Sequence, residues 1–181
     1  MFSRFHKFFL LSILIAVIAS TSVLAAQMQG PALKQFIQNY NNMAVKDDLQ
    51  DTPIGRLPTS LKLNNSGSFA YKLTDDTFIS GSGDNNNGRL SSIQVMGQIK
   101  DEMTLLFMLH TCIYAIQGWT PAFSKEEAGK ILYDLGLTNT DVFLKMVEAG
   151  EYDKEFVYKG LTYGLGYGGV LGLFTFTIDL P

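Results

Sequence analysis

Residue types suited to catalysis or metal binding are few in this 181-residue chain. His110 and Cys112, the single cysteine, both lie in the apolar run LLFMLHTCIYAIQ. A catalytic base needs a nucleophile or carboxylate within hydrogen-bonding reach, and residues two apart on a helix do not face each other. Zinc needs three or four ligands. We therefore predict a hydrogen-bonded core histidine and a buried thiol, with no catalytic residues and no metal site.

Three glycine-rich stretches match ligand-binding loops only in part. In DNNNG, residues 84–88, the glycine comes one position early for an EF-hand and the final glutamate is missing, so the run predicts a turn. GSGDNNNG lacks the Lys-Ser/Thr pair of a phosphate-binding loop, and no helix is predicted after GLGYGG, as a dinucleotide site requires. The acidic pairs at 75–76, 101–102 and 126–127 fit a turn and two first helical turns. We predict no cofactor and no enzymatic activity.

The segment LTYGLGYG, residues 161–168, is the main candidate for a binding surface. Its alternation puts leucines and tyrosines on one face, and a threonine and three glycines on the other. The favoured interpretation is a strand whose glycine face another element approaches closely. The alternatives are a tyrosine-lined binding surface, edge-to-edge assembly and a membrane strand. Trp119 is predicted to cover the core, with a partner anchor as the alternative. The candidate partner-binding residues are thus Trp119, Tyr163 and Tyr167.

The N-terminus has the pattern of an export signal. Basic residues, a short apolar run and a small-residue exit at Ala25 predict a signal peptide over residues 1–25, with an uncleaved anchor as the alternative. Residues 26–181 are then predicted to form one domain, in a protein that is periplasmic or secreted. This part has 12 basic and 17 acidic residues, since the signal carries two basic residues and no acid. Without a clustered basic patch, we expect neither nucleic-acid binding nor attachment to an anionic membrane surface. Once the signal is cleaved, we expect no stable membrane insertion.

The order of helical and alternating patterns predicts an α+β fold. A helix at the mature N-terminus precedes three or four strands, two or three helices and three final strands. This order predicts an antiparallel sheet of six or seven strands with helices packed on one face. The run from Met103 to Ile116 is apolar on nearly every side, so it is predicted to be the central helix and covered on most sides.

Local signals predict where the helices begin and end. Gly118 is expected to close the central helix. Ser124 and Glu127 are predicted to form a capping box for the next helix, which Gly136 ends. The third helix is predicted to have Thr140 as its cap and Gly150 as its stop. The last strand is predicted to run from Val170, after a GYGG turn.

The sequence supports three hypotheses for function. The first is an exported, non-enzymatic bacterial binding domain that recognises a protein partner in the cell envelope, as an inhibitor, immunity or accessory protein does. The alternative is a small carrier that holds an apolar ligand between the sheet and the central helix. The third is a hydrolase whose polar residues meet only in the fold.

Overall fold

The computed structural model describes residues 29–46 and 55–181. The predicted signal peptide, residues 1–25, lies outside this part of the chain. Within it the chain forms four helices: α1 (Leu33–Lys46), α2 (Glu102–Trp119), α3 (Lys125–Leu135) and α4 (Thr140–Ala149). It also forms six strands: β1 (Ser68–Lys72), β2 (Thr77–Asp84), β3 (Arg89–Gln98), β4 (Glu151–Tyr158), β5 (Leu161–Gly168) and β6 (Leu173–Asp179).

The six strands form one antiparallel sheet in the order β1-β2-β3-β6-β5-β4. The chain makes one three-stranded meander, crosses through α2, α3 and α4, and makes a second meander. The two meanders join where β3 pairs with β6, with Val95 opposite Phe176. β1 and β4 are the outer strands. The predicted α+β fold, with its order of elements, is confirmed.

The helices cover one face of this sheet, where the core lies. Alternate strand residues point into it, and Ile79, Val95, Phe176 and Leu165 form one buried row across four neighbouring strands. The other face, here called the open face, carries mainly serine, threonine, glutamine, glycine and acidic residues at the intervening positions. The predicted alternation in β5 is confirmed, because its leucines and tyrosines lie on the core face.

Helix α2 is central, but its two halves differ in burial. Residues such as Cys112, Ala115 and Ile116 in the second half are fully buried. In the first half Met103 is 57% exposed and Leu106 is 38% exposed. The prediction that this helix is covered on most sides is therefore wrong for its first turns, where Met103 and Leu106 face solvent. No helix in the described part of the chain combines the length and apolarity that crossing a membrane requires.

Gly118 does not end α2, contrary to the prediction. The helix continues to Trp119 and is capped at Thr120. A Cβ on Gly118 would lie 2.9 Å from the Phe36 ring, and the Gly118 carbonyl accepts a hydrogen bond from the Asn39 amide of α1. This glycine therefore permits the close crossing of two helices.

The ends of α3 and α4 mostly follow the predicted signals. Ser124 accepts a hydrogen bond from the backbone N–H of Glu127, and Gly136 and Gly150 adopt the left-handed conformation at the C-termini. The cap of α4 is Asn139, one residue before the predicted Thr140. Its amide oxygen reaches the N–H of Val142, as capping requires.

The last strand begins at Leu173, three residues later than predicted. Residues 169–172 form the turn between β5 and β6 instead. Gly172 has a φ of 59°, a left-handed value that suits glycine in a turn. Val170 and Leu171 therefore lie at the turn tip rather than in the sheet.

Candidate binding surface

The three candidate partner-binding residues lie at different depths and places. Trp119 is 6% exposed and lies near the β4–β5 turn, whereas Tyr167 is partly exposed near the β5–β6 turn. Along a strand, the six steps from Leu161 to Tyr167 span about 20 Å. Trp119 and Tyr167 therefore belong to separate surfaces at opposite ends of the sheet.

Tyr163 lies between these two ends and is fully buried. Its ring packs beside Phe156, with centroids 5.9 Å apart, and its position is paired with Ile178. Among the described residues its hydroxyl has no hydrogen-bond partner, and burial raises the pKa of Tyr163. In this conformation the side chain belongs to the core.

The turn between β5 and β6 presents two apolar side chains to solvent. Val170 is fully exposed and Leu171 is 67% exposed. Gln98 of β3 donates its side-chain N–H to the Leu171 carbonyl at 2.8 Å, and the N–H of Gly169 bonds to the Gly150 carbonyl at 2.7 Å. Hydrogen bonds thus tie this tip to β3 and to the end of α4.

The contact at Gly169 is close enough to exclude any side chain. A Cβ there would lie 2.6 Å from the Gly150 carbonyl oxygen and 2.7 Å from its Cα. Both obstacles are backbone atoms, so they cannot rotate away as a side chain could. The turn is therefore held against the α4–β4 junction.

A cavity of about 430 Å³ opens beside this tip. Its lining includes Tyr152, Tyr167 and Leu173, together with Val170 and Leu171 themselves. The Tyr167 ring rests on Phe174 at a centroid distance of 4.4 Å, which fixes its orientation. We call the cavity, with Tyr167, Val170 and Leu171, the hairpin-end surface. The sequence reasoning found Tyr167 but missed the two tip residues, because it placed them in the last strand.

Trp119 lines a second recess, of about 640 Å³, at the other end of the sheet. The Lys159 ammonium lies 4.6 Å from the centre of the Phe123 ring at its margin. It also pairs with the Glu127 carboxylate, which accepts a further hydrogen bond from the Tyr158 hydroxyl at 2.8 Å. Lys159 and Tyr158 thereby lower the pKa of Glu127. This carboxylate remains charged and joins the β4–β5 turn to α3 instead of completing the predicted capping box.

His110 lies at the margin of a third cavity, of about 340 Å³, rather than inside the core. The first turns of α2 and the β1–β2 turn form this cavity, with Met103, Leu106 and Phe107 on its apolar side. The Nδ1 atom of His110 lies 2.8 Å from the Leu106 carbonyl oxygen. The predicted hydrogen bond is present, but the predicted position in the core is wrong, because His110 is only partly buried beside this cavity.

The glycine face of β5 is open among the described residues. A Cβ on Gly168 would meet nothing within 4 Å, and the nearest atom to a Cβ on Gly166 would be 3.9 Å away. A Cβ on Gly164 would approach the Thr177 hydroxyl at 2.6 Å, but Thr177 belongs to the adjacent strand. The favoured interpretation, in which another element packs on this face, is therefore not supported in the described part of the chain.

The described residues include no cluster of metal ligands, and their one cysteine is buried. No three histidine, cysteine, aspartate or glutamate side chains among them cluster in a way that could hold a metal ion. Cys112 is fully buried, and the loss of water around it raises the pKa of the thiol. A thiol in this setting is a poor nucleophile.

Comparison with protein-family models, with curated proteins and with solved structures finds no match to this chain.

Proposed function

We propose that this protein is an exported, non-enzymatic binding domain that recognises a protein partner in the bacterial cell envelope through its hairpin-end surface. The observation that carries the proposal is the tip itself, where Val170 and Leu171 are exposed on a turn tied at both ends. Exposed apolar groups beside an aromatic-lined recess are typical of interaction sites. A tip that is already ordered loses little conformational entropy when it binds.

Tyr167 supports this assignment. A tyrosine offers a large contact area with few rotatable bonds, and Phe174 already holds this ring in place. Trp119 and Tyr163 remain candidates from the sequence. Trp119 would act from its own recess, and Tyr163 would need the core to open.

The proposal is tested by comparing variants in a pull-down from an envelope extract of the host. The test variant is Val170→Ser with Leu171→Ser, which keeps the turn glycines. The control is Val45→Ser, which changes another exposed valine on α1. We expect one protein to be retained stoichiometrically by the wild type and the control and to be lost from the tip variant. Retention by all three, or by none, would contradict the proposal.

The cavity beside α2 favours a second candidate function, the carriage of a small apolar ligand. Its volume of about 340 Å³ lies within the range of small-molecule sites, and Met103, Leu106 and Phe107 supply apolar surface. The ligand would sit at the end of α2, since buried side chains fill the space between this helix and the centre of the sheet. Native mass spectrometry of protein purified from its host tests this candidate, and a bare polypeptide mass would exclude it.

A further inference from the structure

The outer edge of β4 combines free backbone groups with a row of acidic side chains. Among the described residues, β4 pairs with β5 on one side only, and its other side is the edge of the sheet. Glu151, Asp153 and Glu155 all point to the open face, and all three are exposed. An unpaired strand edge is a template for pairing with another strand.

The β4–β5 turn fixes which backbone groups face outward. Lys159 and Gly160 have φ values of 50° and 79°, as in a two-residue type I′ turn. Such a turn makes Tyr158 and Leu161 a hydrogen-bonded pair, and the pairs alternate from there along the strands. The N–H and C=O groups of positions 151, 153, 155 and 157 therefore point away from β5. The residues with free backbone groups are thus the three acidic ones and Val157.

No basic residue in the described part of the chain neutralises this row. None of the ion pairs there involves Glu151, Asp153 or Glu155. The two lysines nearest in sequence are engaged elsewhere, because Lys154 donates to the Asp134 carbonyl and Lys159 pairs with Glu127. Across the strand pair the acids face Gly168, Gly166 and Gly164, which have no side chains. The carboxylates thus flank a strip of bare backbone.

We infer that β4 accepts an extended segment of a protein partner as a seventh strand, with lysine or arginine at every second position. Alternate residues of an added strand lie on one face, so such a segment would place a cation opposite each carboxylate while its backbone bonds to β4. A second copy of this chain does not fit, because pairing β4 with β4 would set two acidic rows against each other. The inference does not rest on the hairpin-end surface, because Glu151, Asp153, Glu155 and Val157 do not line its cavity, although Gly166 and Gly168 do.

The test uses two end-blocked peptides of one composition. One alternates threonine and lysine, Thr-Lys-Thr-Lys-Thr-Lys-Thr, and the other has its three lysines together, Thr-Thr-Lys-Lys-Lys-Thr-Thr. Binding to the whole mature chain is measured by fluorescence anisotropy at low salt, where exposed charges act most strongly. We expect the alternating peptide to bind about tenfold more tightly, because contiguous lysines leave at least one cation on the wrong face. Equal affinities, or no binding of either peptide, would overturn the inference.

Variants of β4 separate backbone pairing from charge. Val157→Pro removes an outward N–H without changing charge, and proline is tolerated at sheet edges. We expect Val157→Pro to lower the affinity for the alternating peptide by about fivefold to tenfold. Val157→Thr keeps the N–H and should leave the affinity unchanged. Neutralising the row with Glu151→Gln, Asp153→Asn and Glu155→Gln should abolish binding, whereas Asp141→Asn with Glu148→Gln on α4 should not. Binding that survives Val157→Pro unchanged would mean capture of a polycation by charge alone and would overturn the inference.

If Val157→Pro fails to fold, amide hydrogen exchange of the wild type, measured with and without the alternating peptide, tests the inference instead. The peptide should slow exchange at the N–H groups of Asp153, Glu155 and Val157, which point outward, and leave Lys154 and Phe156 unchanged. The tip variant Val170→Ser with Leu171→Ser should still bind the peptide. Unchanged exchange along β4 with bound peptide would contradict strand addition.

Discussion

Removing the hydroxyl of Tyr163 should stabilise the protein. This hydroxyl is fully buried and has no partner among the described residues, so folding removes its water and gives nothing in return. An unpaired buried polar group costs about 1–3 kcal/mol. Tyr163→Phe keeps the ring beside Phe156 but loses a few contacts of the oxygen atom. We therefore expect a gain of about 1 kcal/mol, toward the low end of that range.

Tyr152→Phe is the matched control, because it makes the same chemical change where the hydroxyl is paired. The Tyr152 hydroxyl donates to the Leu135 carbonyl at 2.7 Å. Losing this bond should destabilise the protein by about 1 kcal/mol. In a domain of this size, such changes move the melting temperature by about 2–4 °C in opposite directions.

Urea unfolding followed by the fluorescence of Trp119, the single tryptophan, measures both variants on one scale. If the urea midpoint shifts while the dependence of the unfolding free energy on urea concentration stays the same, the variant has changed stability. If Tyr163→Phe destabilises the protein as much as Tyr152→Phe does, the Tyr163 hydroxyl has a partner in solution and the reasoning is refuted.

Three further predictions follow from the burial or the contacts of single residues. Burial raises the pKa of Asp179, so the stability that this side chain contributes is present below its ordinary pKa and is lost as the pH rises through the raised pKa. Asp179→Asn should therefore raise the free energy of unfolding at pH 7 but not near pH 3. Urea titrations at the two pH values measure this difference. Cys112 should react with a thiol reagent only as fast as the protein opens, because its thiol is buried and its pKa is raised; rapid labelling of the native protein would argue against this packing. Gly169→Ala should cost about 1–3 kcal/mol through its clash with Gly150, whereas Gly168→Ala, which meets no atom, should leave the melting temperature nearly unchanged.

The sequence predicted the sheet well, because the alternation of residue types and the turn-forming residues indicated the same strands. Alternation in residues 161–168 correctly placed Tyr163 and Leu165 on one face of the strand, and the structure shows that this is the core face. The glycines at 136 and 150 correctly marked two helix ends, because a glycine ends a helix through its own left-handed backbone conformation. Such signals depend on neighbouring residues alone.

Tertiary contacts decided the features that the sequence did not reveal. Gly118 was expected to end α2, but it allows α1 and α2 to cross closely. This role depends on Phe36, which is far away in the chain. The exposure of Met103 and Leu106 depends on which elements pack over the first turns of α2. Val170 and Leu171 continue an apolar pattern into the last strand, whereas the contact of Gly169 with Gly150 and the left-handed conformation of Gly172 belong to a turn. The candidate surface could therefore be found only in part from the sequence.

Photocrosslinking in living host cells tests the central claim most directly. A photoreactive phenylalanine analogue at position 171 should form a discrete adduct with one protein under illumination. The same analogue at Tyr133, which is 54% exposed on α3, should form none. Adducts absent at position 171, or identical at both positions, would contradict a partner-binding role for the hairpin-end surface.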